Sequence, residues 1–186
     1  WVGYFLDKSA VGLYKLGLSI INPLMMPITP FITTSFPEMT RSVVSRSWGQ
    51  LRRLLRRMTF ISASWTIFVT LIMALFGKWL IGVIYTQAFV PAYPATMILL
   101  AGFGISNIFF WNRSLLLSFG KANIPLYILF VAAVLKVALS FWVIPAYGIN
   151  GAAWLLTGNF ILTVVVMVSI GLVLIRYSER HREQEL

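Results

Sequence analysis

From Ile124 to Ile175 the chain carries a single charged residue, Lys136. A soluble helix needs only one apolar stripe, whereas each crossing of a bilayer needs about 20 largely apolar residues. The rest of the chain repeats the pattern. Of its 186 residues, 59% are hydrophobic and only 11% are charged. With a mean hydropathy of +0.86, a chain of this length has too little polar surface to fold in water. It reads as an all-α membrane protein.

Breaks in hydropathy place five transmembrane helices at about 11–36, 58–80, 95–119, 124–144 and 151–175. Asn22-Pro23, Pro27 and Pro30 interrupt the first, and each proline removes a backbone donor, so a kinked or broken helix ending at Pro37 is expected. IGVIYTQAFVPAYP reads as a loop, and Gly120-Lys121 and YGING read as turns.

Between the first two spans lies a basic loop, 38–57, with Arg41, Arg46, Arg52, Arg53, Arg56 and Arg57 against one acid, Glu38. Basic loops stay cytoplasmic, so this one sets the orientation. Arg113, Lys121, Arg176, Arg180 and Arg182 then fall on the same inner side, and only Lys8 and Lys78 fall outside. The expected topology has the N-terminus outside and a charged inner tail at 176–186. Trp79, Tyr85, Tyr93, Trp142, Tyr147 and Trp154 would mark the outer interface, and Trp48, Tyr127 and Tyr177 the inner one. Trp48, Leu51, Leu54, Leu55 and Met58 recur at helical spacing, which predicts an amphipathic helix lying along the inner leaflet with its arginines near anionic headgroups. A basic run can also bind nucleic acid, but its position between two spans argues against that. Membrane lipids are the expected contacts.

No nucleophile elbow, phosphate-binding loop or metal-ligand spacing is present, so no catalytic residue, metal or cofactor is expected. With no cysteine there are no disulfides, and the single histidine, His181, sits in the charged tail SERHREQEL as a solvated residue. All five acids, Asp7, Glu38, Glu179, Glu183 and Glu185, lie outside the expected spans. Coupling to ions or extraction of cations normally uses a carboxylate within the membrane.

The charges within the membrane are cationic. Lys136 lies near the middle of the fourth span, and helical spacing places Ala132, Ala133 and Ser140 on its face. That small, polar stripe suits a neighbouring helix or a wet cavity. Lys136 therefore either bonds the carbonyls of a broken helix or lines a cavity toward an anionic ligand. Arg113, Lys15 and Asn22 are further cavity candidates, and Pro23, Pro27 and Pro30 are candidate hinges. Asn107, Asn159, Thr157 and Thr163 are expected to make interhelical hydrogen bonds.

VGLYKLGLSI at 11–20, TSFPEMTRS at 34–42, LIGVIYTQAFVPAY at 80–93, SFGKANIP at 118–125 and YGINGAAW at 147–154 together resemble the C-terminal half of polysaccharide-biosynthesis flippases. These are the O-antigen and teichuronic-acid-type exporters of the multidrug/oligosaccharidyl-lipid/polysaccharide superfamily. The resemblance implies a fold of two six-helix bundles around a central cavity, with two extra helices in some branches. It implies flipping of an anionic, undecaprenyl-diphosphate-linked oligosaccharide from the inner to the outer leaflet of the bacterial cytoplasmic membrane. The five spans correspond to the last five of such a protein. The chain, which begins WVGYF, is expected to be its C-terminal part, partnered by a missing N-terminal half. A multidrug or cation antiporter of the same fold is the alternative. A membrane-embedded polysaccharide polymerase or glycosyltransferase would want a large outer loop bearing acids or arginines, and the longest outer segment, 78–94, has no acid.

Overall fold

The computed structural model describes the backbone of residues 2–184, and the side chains of that range except those of Val2, Phe5, Leu24, Met25, Thr29, Ile32 and 181–184. The expected positions of His181, Arg182, Glu183 and Glu185 lie outside the described side chains. Among the described residues all regular structure is helical: α1 Val2–Phe5, α2 Lys8–Met25, α3 Thr29–Val44, α4 Trp48–Ile84, α5 Tyr93–Ile108, α6 Asn112–Ser118 and α7 Asn123–Gln184. Four stretches, Lys8–Ile28, Trp48–Ile84, Gln87–Ser118 and Asn123–Arg180, are long and apolar enough to cross a membrane.

The last stretch consists of two limbs, each long and apolar enough to cross. Gly148 (φ 58°, ψ −134°) departs from helical geometry inside α7, in a region that favours glycine because it has no Cβ. A straight helix would hold Lys136 and Asn159 about 35 Å apart at about 1.5 Å per residue, yet they line the same cavity. The first limb therefore turns back at Gly148, and the second limb runs antiparallel to it.

The first span is broken as its prolines require. Pro23 lies inside α2, a 3₁₀ turn covers Met26–Ile28, and Pro30 sits in the first turn of α3. The Met26 N–H donates to the Pro23 carbonyl, and the Thr33 and Thr34 hydroxyls donate to the Pro30 carbonyl at 2.9 and 3.1 Å. Side-chain hydroxyls and 3₁₀ bonds thus satisfy part of the backbone where prolines provide no donor.

Three expectations are corrected here. Pro37 does not end the helix: it lies inside α3, which runs on to Val44. One lost hydrogen bond is outweighed by burial beyond it, where Met39 is fully enclosed and Ser42 is 5% exposed. Second, 38–57 is not a loop. It is the end of α3, a tight turn with Arg46 in the left-handed region (φ 51°), and the start of α4. Third, no separate helix lies along the leaflet. Trp48–Ile84 is one helix of 37 residues, and Trp48, Leu51, Leu55 and Met58 pack against Met39, Trp111, Leu115 and Ile175 rather than against lipid. Trp48 stacks on Phe119 with ring centroids 6.0 Å apart and is buried in this cluster.

The third span is also interrupted. Residues 109–111 form a turn between α5 and α6, with Phe109 (φ −106°, ψ 34°) outside helical geometry, although no proline stands there. Neighbouring α4 fills the gap: Ser62 Oγ donates to the Asn107 carbonyl (2.5 Å), Asn107 Nδ2 to Thr66 Oγ1 (3.1 Å) and Trp111 Nε1 to Thr59 Oγ1 (2.8 Å). A second cluster, with Tyr14, Ile21, Val69, Met73, Leu99, Leu100 and Ile144, joins α2, α4, α5 and α7. There Gly102 lets α5 touch α7 closely, since a Cβ would meet Thr157 at 2.6 Å, and the Thr157 hydroxyl donates to the Ile98 carbonyl (2.7 Å).

Candidate functional site

Lys136 lies about midway along the first limb of α7 and is half-buried. Ala132 and Ser140, one turn to either side, are buried with it, as the spacing predicts. Ala133 is exposed and belongs to a different face, because it is three residues from Lys136 on the far edge of the stripe. The lysine lies between two grooves. One, of about 360 Å³, runs between the limbs of α7 past Trp154, Leu155, Gly158 and Asn159. The other, of about 340 Å³, is closed by Tyr14 of α2 together with Ser140, Ile144, Ala152 and Leu156.

Among the described residues no carboxylate or hydrogen-bond acceptor partners the ammonium. Asn159 shares the first groove, and its Oδ1 is buried with no hydrogen bond. The expected interhelical bond is therefore absent at this residue, whereas Asn107 and Thr157 make theirs. Thr163 donates within its own helix, to the Asn159 carbonyl at 2.8 Å. The groove is thus lined by a cation and by an amide oxygen, each with bonding capacity left. The sequence places both residues in spans, but only the antiparallel hairpin brings them together.

Lys15 and Asn22 do not line the grooves around Lys136. They are exposed on α2, where Ser19 lies between them at helical spacing. Asn22 is thus not buried, and the exposed polar face continues past the break at Thr33 and Thr34. Arg113 is exposed in the first turn of α6, beside buried Asn112, and it too stands apart from Lys136. Pro23, Pro27 and Pro30 lie along the broken helix that carries the polar face.

The arginines divide between two faces of the α3–α4 hairpin. Arg41, Arg53 and Arg57 line a polar cleft of about 470 Å³ with Glu38, Ser42 and Gln50. Arg52 and Arg56, one turn apart on α4, face the end of α7 instead, where Arg52 Nη2 bonds Glu179 Oε2 at 2.5 Å. Arg46 occupies the turn itself.

A family model described as "Lipid II flippase MurJ" matches residues 1–176. No curated protein and no solved structure matches the chain.

Proposed function

This chain belongs to the MurJ family of lipid II flippases, and from that premise we propose that its spans wall the passage by which an undecaprenyl-diphosphate-linked saccharide crosses the bacterial inner membrane. The family falls in the superfamily that the sequence resembles, and it consists of transporters rather than enzymes. Lipid II and the longer O-antigen or teichuronic-acid repeats share an anionic diphosphate. The family description favours lipid II as cargo, carried from the inner to the outer leaflet by alternating access.

The observation that carries this reading is Lys136, a half-buried cation at mid-span with grooves on both sides and no acidic partner among the described residues. A charge at the bilayer centre costs at least about 2.5–3.5 kcal/mol on insertion scales. A diphosphate passing through the cavity is one compensation. Lys15, Asn22 and Arg113 are proposed as further cavity contacts at other depths, with Pro23, Pro27 and Pro30 as the hinge. The alternative cation antiporter gains nothing here, because the described acids Asp7, Glu38 and Glu179 all lie toward helix ends or beyond the apolar runs.

In the protein as its gene encodes it, Lys136→Arg should keep partial flipping, since charge persists while shape changes. Lys136→Ala should lose most flipping at equal membrane abundance, and Lys136→Glu all of it. Normal lipid-linked precursor export by a well-expressed Lys136→Ala protein would make the lysine a packing residue. We also propose that the arginine end of the α3–α4 hairpin is cytoplasmic. A reporter active only outside the membrane should then work at Gln87 or Tyr147 and fail at Gly49 or Lys121, and the reverse pattern would invert the topology.

A further inference from the structure

Beside the arginine end of α4 lies a cavity of about 600 Å³ between α4 and the second limb of α7. Its rim carries Arg52, Arg56 and Arg176, its floor is buried Leu55, Trp111 and Ile175, and Phe60 and Leu172 form its walls. Along α4 it reaches from Arg52 to Ala63, about 16 Å at about 1.5 Å per residue. The groove is thus cationic at one end and apolar along its length.

Two details narrow what fits it. Arg52 is neutralised by Glu179, while Arg56 and Arg176 have no partner among the described residues. The floor offers no free polar group at Trp111, whose Nε1 donates to Thr59 (2.8 Å). An occupant therefore has one anionic head and an apolar body. Phe60 (73% exposed) and Leu172 (44%) open the groove onto the apolar outer surface. The occupant arrives from the bilayer.

We propose that this groove is a binding site for one anionic phospholipid, its phosphodiester held between Arg56 and Arg176 and an acyl chain lying along the floor. Guanidinium groups bind phosphate through charge-assisted, often bidentate hydrogen bonds, which goes beyond the diffuse attraction of a basic surface to a charged leaflet. Such a lipid would bridge α4 and α7 beside the Arg52–Glu179 pair. The inference rests on the groove alone and not on Lys136 as a cargo contact.

Native mass spectrometry of the purified protein, titrated with dioleoyl-phosphatidylglycerol or dioleoyl-phosphatidylcholine, tests it. One phosphatidylglycerol should be retained in preference to phosphatidylcholine. Arg56→Gln with Arg176→Gln should weaken that binding by about tenfold more than Arg53→Gln with Arg57→Gln, which removes the same charge from another face of α4. Ala63→Phe should weaken it with every arginine in place, by filling the floor. Equal losses from the two arginine pairs would reduce the effect to surface charge and overturn the site. Undiminished binding in Ala63→Phe would do the same. Displacement of the retained lipid by equimolar undecaprenyl diphosphate would assign the groove to cargo and also overturn it. Lys136→Ala should leave phosphatidylglycerol binding unchanged, so this site and the cargo site fail separately.

Discussion

The outward faces of α2–α3 and of α4 are both bare in this chain, yet they are made of opposite chemistry. On α2 the exposed positions include Lys15, Ser19 and Asn22, and Thr33 and Thr34 follow on α3. On α4 they include Phe60, Ile67, Phe68, Leu71 and Leu75, each more than half exposed. Hydrocarbon accepts the second set at no cost and penalises Lys15, Ser19 and Asn22, which would lose their water without gaining a partner, whereas Thr33 and Thr34 already donate to the Pro30 carbonyl. Exposure alone therefore does not mark the lipid surface. The α4 row suits lipid, whereas the polar row on α2, which shares its side of the broken helix with exposed Met26, Phe31 and Phe36, suits water or protein.

One substitution made on both faces separates them most sharply. Leu71→Arg should cost about 2.5–3.5 kcal/mol of insertion and remove most of the protein from the membrane. Ser19→Arg, on the polar face, should accumulate almost normally. Equal abundance of the two by immunoblot would erase the distinction. A gentler contrast uses the absence of native cysteine from this chain. A cysteine at Ser19 or Asn22 should react with a membrane-impermeant maleimide at least about tenfold faster than one at Leu71 or Leu75, because the reactive thiolate needs water. Similar rates would place both faces in the same medium. The smallest effect concerns motion of the polar face. Replacing Pro23, Pro27 and Pro30 together by Ala should preserve abundance and slow flipping severalfold, by straightening the bend between α2 and α3. Unchanged flipping would leave the break a packing feature with no part in exchange.

Much of the architecture was legible in the sequence, because its causes are local. Apolar run length gives the membrane class and the approximate spans, and proline spacing gives the break after Met25. The sequence signal fails where distant residues decide. The gap at 109–111 has no proline and is held open by Ser62, Thr66 and Thr59 from another helix. The amphipathic pattern of Trp48, Leu51, Leu55 and Met58 is real, but periodicity cannot say whether an apolar face meets lipid or protein. Of the candidate site, the burial of Ala132 and Ser140 beside Lys136 was readable from i±4 spacing, while Ala133 fell outside that face. Its pairing in one groove with an unbonded Asn159 was not, because they meet only after the chain reverses at Gly148.

That reversal also bears on how the chain enters the bilayer during synthesis. The turn around Gly148 has no charged residue, and the second limb has none from Gly151 to Ile175. The first limb emerges from the ribosome with Lys136 in its middle, which lowers its partitioning by about 2.5–3.5 kcal/mol. Its successor is apolar enough to offset that lysine if the two limbs enter together. The glycine thus sets beside the lysine-bearing limb a second limb whose apolar run carries no charge, so that Lys136 is enclosed by its own chain on one side.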